Sequence, residues 1–179
     1  MSNHRLFVAL DLPTEVASEV AEWGRRASGG DRRMRPVPAR NCHITLAFIG
    51  EAPEKSVAPI GEAIARSAAA VTGLSLGAPA WLPRRRPRAL ALDVHDGHGE
   101  LEACRSRLAA ALEEAIGWRE ERRFRPHLTA VRLSRGVEPV EHPLPVSPAL
   151  GFDGEAVTLY RSRLLPEGAE YEPLLRSCL

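Results

Sequence analysis

Apolar residues along this chain recur at two spacings, one near every second position and one near every third or fourth. Residues 6–10 (Leu-Phe-Val-Ala-Leu) form a continuous apolar run of a length that suits a strand covered on both faces. Asp11, Leu12 and Pro13 end it. Thr14 is then placed to cap a helix whose inward residues Val16, Val20, Trp23 and Ala27 recur at helical spacing until Gly29 and Gly30 stop it. After an Arg- and Pro-rich loop, residues 43–50 are rich in β-branched and aromatic side chains and end on Gly50, which predicts a second strand. Beyond Pro53, Val57, Ile60, Ile64 and Ala68 line one face of a helix that tolerates Pro59 only in its first turn. Residues 74–82 and 89–94 read as strands joined by an Arg- and Pro-rich turn. Leu101, Cys104, Leu108, Leu112 and Ala115 mark a third helix ending at Gly117, and residues 127–133 and 156–165 complete the strands. Past residue 165 the periodicity is weak.

The order contains a repeat. Ala9-Leu10-Asp11, a helix and His43-Ile44-Thr45-Leu46 are matched by Ala91-Leu92-Asp93, a helix and His127-Leu128-Thr129-Ala130. Ala9 to Ala91 spans 82 residues and His43 to His127 spans 84, so a two-residue difference in one connection reconciles them. A duplicated unit packed about an approximate two-fold axis would bring both histidines to one cleft.

Residues two apart on a strand share a face, so His43 points with Thr45, and His127 with Thr129. The alternate positions Ile44, Leu46 and Phe48 form a packing face by the same parity, as do Leu128 and Ala130. Six His and five Thr placed at random give roughly 0.2 His-x-Thr triplets, so two at matched repeat positions carry information. Two imidazoles titrating near neutrality can supply one base and one acid, which is what opening a cyclic phosphodiester needs. A hydroxyl two residues along each strand can donate to phosphate oxygens as charge grows on them.

Composition narrows the class. With 44% hydrophobic and 26% charged residues over 179 positions the chain is an ordinary globular one, read as one catalytic unit, 1–179, of two pseudo-symmetric lobes. A net charge of +1 leaves any polyanion contact to local patches. Three exist: Arg32, Arg33, Arg35 and Arg40; Arg84, Arg85, Arg86 and Arg88; and Arg119, Arg122, Arg123 and Arg125. Each is as consistent with a solvated surface as with a phosphate-facing one. Cys42, Cys104 and Cys178 are odd in number and lack C-x-x-C spacing, which fits a reducing cytoplasm. No export signal or membrane span is read, and a monomer is expected.

Residues 5–13, His43-Ile44-Thr45-Leu46-Ala47-Phe48-Ile49-Gly50, Phe124-Arg125-Pro126-His127-Leu128-Thr129 and the segment from Leu159 onward resemble the bacterial and archaeal RNA 2',3'-cyclic phosphodiesterases. Those enzymes belong to the two-histidine phosphoesterase superfamily and are historically called 2'-5' RNA ligases. The resemblance implies an α+β fold of two antiparallel-sheet lobes flanked by helices around a central cleft. It also implies metal- and cofactor-free hydrolysis of RNA 2',3'-cyclic phosphate ends, or of a small cyclic nucleotide, to a 2'-phosphate. In that scheme His43 protonates the leaving 3' oxygen, His127 activates water, and Thr45 and Thr129 hold the phosphate. The acid and base could exchange, since pseudo-symmetry conceals which ring faces which oxygen. The family usually has Leu where this chain has Ala130, a change that touches packing rather than chemistry.

Arg132 matches a family arginine near the phosphate, yet strict alternation sets it on the face opposite His127, and only a bulge or strand end would turn it inward. Phe48 is a candidate to stack on a terminal base, although its parity favours the core. Cys42 beside His43 invites a thiol nucleophile, but adjacent strand residues diverge. His95 and His98 read as loop residues rather than a metal site, and the two His-x-Thr triplets lack carboxylate or thiol ligands for one. The competing class is a protein that binds RNA ends, or reversibly ligates 2'-5' ends, without significant hydrolysis.

Overall fold

A computed structural model describes residues 3–134, 136, 143–165 and 168–179. Twelve elements follow in chain order: β1 (Asn3–Asp11), α1 (Thr14–Ser28), β2 (Met34–Pro36), β3 (Ile44–Pro53), α2 (Val57–Ser67), β4 (Leu74–Leu82), β5 (Ala89–Asp96), α3 (Glu100–Ile116), β6 (His127–Leu133), β7 (Gly151–Phe152), β8 (Ala156–Leu165) and β9 (Gly168–Cys178). The strands make one antiparallel sheet in the order β7-β4-β5-β6-β3-β1-β8-β9, with β2 added beside β6.

The two halves of this sheet repeat each other. In one half Ala9 pairs with Thr45 and Leu10 with Ile44; in the other Ala91 pairs with Thr129 and Leu92 with Leu128. Each half also slips register at the same place, between Val8 and Ala9 and between Leu90 and Ala91. The halves join where β3 meets β6, at Ile44 opposite Leu128.

One face of the sheet carries the helices. Leu6, Val8 and Leu10 of β1 enter the same buried core as Val16, Val20 and Trp23 of α1, Ile60 and Ile64 of α2, and Leu101, Leu108 and Leu112 of α3. These are the helical stripes expected from the 3.6-residue period. Phe7 and Ala9 point to the other face. Helix α1 lies against β6 so closely that a Cβ on Gly24 would sit 2.5 Å from the Ala130 carbonyl oxygen.

The sequence-derived elements stand with adjusted ends. Helix α1 begins at Thr14 itself, after Pro13, with no side-chain cap, so Thr14 is not the cap. Pro59 falls in the first turn of α2 and Ala68 lies just past its end. His43 precedes the ladder of β3, which runs past Gly50 to Pro53. The weakly periodic tail is a full strand, β9, at the sheet edge; its Pro173 sits at a register slip between Leu159 and Tyr160, where an edge strand accommodates a missing donor.

Candidate active site

The face of the sheet away from the helices is where the two His-x-Thr segments meet. Continuing the antiparallel register one residue either side of Ile44 and Leu128 sets His43 across from Thr129 and Thr45 across from His127. Ile44 and Leu128 are fully buried on the helix side, so the four polar residues share the opposite face. In an antiparallel ladder, diagonal neighbours such as His43 and His127 lie within about 7–8 Å of each other, a span that one phosphate group can bridge. The His127 charge also disfavours protonation of His43, so the two rings sense each other.

Both rings are held in the same way. His43 Nδ1 lies 2.9 Å from the Asn41 carbonyl oxygen, and His127 Nδ1 lies 2.7 Å from that of Arg125. A carbonyl only accepts, so each Nδ1–H donates and each Nε2 is left for chemistry. The equivalent i−2 partner in both halves is the duplication expressed at the level of a single hydrogen bond.

The matched register slips change side-chain parity. In β6, Ala130 and Val131 are buried consecutively, after which Arg132 emerges on the face of His127 and Thr129. The Ala130 carbonyl, released from the ladder, instead accepts the Val37 N–H at 2.8 Å. In β3, Leu46 and Ala47 are the consecutive buried pair, and Phe48 emerges 42% exposed on the face of His43 and Thr45. The core role that simple parity favoured for Phe48 is therefore wrong, and the bulge that Arg132 needs is present.

His43, Thr45, Phe48 and Arg132 line a common cleft of about 420 Å³ with Arg5, Phe7 and Tyr171. His127 and Thr129 stand beside it on β6 rather than in its lining. Among its walls, Phe7 and Tyr171 carry no motif signal. The Phe7 ring stacks on His43 with centroids 4.9 Å apart, and Tyr171 meets His43 edge-on at 5.4 Å. Tyr160 stacks behind Phe7 at 5.3 Å and donates its hydroxyl to Asp11 at 2.8 Å. The signal available in sequence was parity, since Phe7, Ala9 and Asp11 alternate on one face of β1 and Tyr160 pairs with Phe7.

Burial among these rings lowers the His43 pKa to about 4, helped by the charges of Arg132 and His127 and opposed by the Asn41 hydrogen bond and Asp11. The lowered pKa leaves the ring neutral at pH 7, and its edge on the cleft keeps it reachable. Asp11 accepts from Thr158 at 2.7 Å and from Arg176 at 3.2 Å as well as from Tyr160, a fully engaged carboxylate. Its repeat partner Asp93 receives Arg125 through two hydrogen bonds of 3.0 and 2.9 Å.

Other sequence candidates separate from the site. Cys42 is buried and its thiol is pushed up to about 12, which removes it as a nucleophile. His95 is not a loop residue: it belongs to β5, opposite Ser75, while His98 contacts the Thr72 hydroxyl. Among the described residues no group of three or more His, Cys, Asp or Glu is placed to hold a metal ion, and no helix is long and apolar enough to cross a membrane. Arg119, Arg122 and Arg125 of the third basic cluster are taken up by Glu113, Glu120 and Asp93.

Comparison with known proteins follows the same lines. The family model described as the 2'-5' RNA ligase superfamily matches residues 12–164. The chain is 32% identical over 179 residues to the RNA 2',3'-cyclic phosphodiesterase of Thermus thermophilus, covering 95% of this chain and 87% of that one. It is 30% identical to the Escherichia coli protein of the same name, covering 98% and 96%. Among solved structures, TT0787 of Thermus thermophilus superposes with a TM-score of 0.80 at 30% identity over 98% of this chain and 97% of that one. LigT of Escherichia coli complexed with 3'-AMP superposes with a TM-score of 0.80 at 27% identity over 99% of both.

Proposed function

The chain belongs to the 2'-5' RNA ligase superfamily, and from that premise we propose that it hydrolyses the 2',3'-cyclic phosphate at an RNA end to a 2'-phosphate without a metal or cofactor. The observation that carries the reading is the register at Ile44 and Leu128, which sets two His-x-Thr pairs face to face with both Nε2 atoms free. Names of relatives across bacteria and archaea support the same reaction.

In the reaction, the phosphate sits between the four side chains. His127 Nε2 takes a proton from water, the water oxygen bonds to phosphorus, and the bond to the ribose 3' oxygen breaks. His43 Nε2–H gives its proton to that oxygen, so one proton enters at His127 and one leaves from His43. Thr45 and Thr129 donate to the non-bridging oxygens as their charge grows. Arg132 adds a full positive charge beside them, and Phe48 offers an exposed ring to the terminal base. One catalytic unit formed from both halves of residues 1–179 suffices.

His43 is neutral in the free protein, so an acid role requires that it gain a proton as the anionic phosphate binds. The reversed assignment, with His43 as base, is favoured by that same burial. Binding of a nucleoside 2'-phosphate at pH 7 distinguishes them: net proton uptake by His43 supports the acid role, and a neutral ring in the complex supports reversal. The reaction itself is tested by incubating the protein with EDTA and an oligonucleotide ending in a 2',3'-cyclic phosphate. Conversion to a 2'-phosphate is expected. Binding without turnover, or 2'-5' joining alone, would support the RNA-end binding or ligating alternative instead.

A further inference from the structure

The turn between β4 and β5 carries Arg84, Arg85, Arg86 and Arg88 among Pro83 and Pro87. A hairpin turn asks for Gly, Pro, Asn or Asp, so the two prolines serve the fold and the four arginines do nothing for it. All four are exposed, whereas Pro87 is buried. Residues 67–92 hold no Asp or Glu. Among the described residues none of the four guanidiniums has a carboxylate within ion-pair distance, while Arg33, Arg66, Arg122 and Arg125 each have one. Four like charges within five positions repel one another, and the turn supplies nothing to offset that.

The turn is also fixed relative to the reaction face. Arg88 donates its N–H to the Leu82 carbonyl at 2.8 Å, which closes the hairpin, and its own carbonyl accepts the Leu133 N–H of β6 at 2.9 Å. The next residue, Ala89, pairs with Arg132, and Asp93 further along β5 pairs with His127. The arginines therefore begin roughly 15 Å along the strand from the level of His127, and Arg132 keeps its place at the reacting phosphate. At the other end of the turn, Arg84 lines a hollow of about 340 Å³ with Pro79, Ala80, Trp81 and Arg125. Arg125 is the partner of Asp93, so this hollow borders the reaction face on its β5 side.

We infer that Arg84, Arg85, Arg86 and Arg88 form a docking ridge for the sugar-phosphate backbone of the substrate RNA, several nucleotides away from the end that reacts. The inference rests on the hydrolytic reading above and refines its substrate class: RNA chains long enough to lie across the ridge, in preference to short oligonucleotides. With a net charge of only +1 the protein as a whole does not draw a polyanion, so such contact falls to a local cluster. Exposed guanidiniums without protein partners suit phosphate oxygens of any sequence and give binding that salt weakens.

The test compares the native protein with a variant combining Arg84→Gln, Arg85→Gln, Arg86→Gln and Arg88→Gln. Turnover is measured on a dinucleotide, too short to reach the ridge, and on a single strand of about 20 nucleotides, both ending in a 2',3'-cyclic phosphate. Fluorescence anisotropy follows binding of the same strand ending in a 2'-phosphate across a salt series. At low salt the native protein is expected to show a kcat/KM about 10-fold or more higher for the strand than for the dinucleotide. The variant is expected to lose that advantage while keeping its dinucleotide rate, and the log–log salt dependence of its strand binding should flatten by about 3. An unchanged strand kcat/KM and salt slope in the variant, or a loss of the same size on both substrates, would overturn the ridge while leaving hydrolysis intact. If the native protein opens neither substrate, the hydrolytic reading falls, and the anisotropy comparison alone decides the ridge.

Discussion

Ile44 lies opposite Leu128, and that register pair, where β3 meets β6, fixes the relation between the two histidines one residue away from it. Because both apolar side chains are fully buried against the helices, a one-residue slip would carry His43 and His127 into the core. Register in the core and geometry in the cleft are therefore the same constraint.

In the proposed mechanism, replacing either imidazole removes one of two proton-transfer groups. His43→Ala and His127→Ala are each expected to lower kcat by roughly 10² to 10⁴. Thr45→Val and Thr129→Val should cost less, about 10-fold to 10³-fold, as for loss of one oxyanion donor. Steady-state rates on a cyclic-phosphate oligonucleotide check this, and a His variant with native rates would remove that residue from the mechanism.

Acid should weaken the fold through His43. Its folded pKa of about 4 lies below the ordinary value of 6.5, so between those limits the unfolded chain binds a proton that the folded one does not. Stability is unaffected above pH 6.5 and falls as pH drops towards 4, by up to roughly 3 kcal/mol and less to the extent that the open edge of the ring stays hydrated. In urea titrations across this window the native protein should lose stability relative to His43→Gln as pH falls. Parallel curves would mean that the ring is not desolvated.

Phe48 is half-exposed beside the cleft with Arg5 packed 5.1 Å from its ring centroid, an arrangement open to a stacking base. Phe48→Ala is expected to raise KM about 10-fold with little change in kcat. A fall in kcat with constant KM would assign the ring to some other task.

At Gly24, α1 packs directly on the bulge in β6, with no room for a Cβ against the Ala130 carbonyl. Gly24→Ala forces a shift against the Ala130 backbone and should destabilise by about 1–3 kcal/mol in thermal or urea unfolding. The carbonyl it would press on is the one that holds Val37, so the position of β2 should suffer with it.

Much of this was legible in the sequence because the chain says most things twice. The three helices, six of the strands and the pairing of His43-x-Thr45 with His127-x-Thr129 follow from periodicity and the repeat. Strand β9 was hidden because Pro173 and mixed polarity erase alternation in an edge strand, and with it Tyr171 was lost from the site. Parity alone turns Phe48 to the core and Arg132 away from His127 because alternation is blind to a bulge: one extra residue at Leu46 and at Ala130 turns the next side chains over. Strand β2 is invisible from sequence for another reason, since three residues offer too little pattern to show register.

The central claim is that both imidazoles act on one phosphorus. Nitrogen-15 NMR of His43 and His127 during titration with a nucleoside 2'-phosphate tests it most directly. Both Nε2 resonances are expected to shift along one saturation curve, with neither Nδ1 losing its proton to the ligand. A shift at one ring alone, or at two different ligand concentrations, would contradict a shared phosphate.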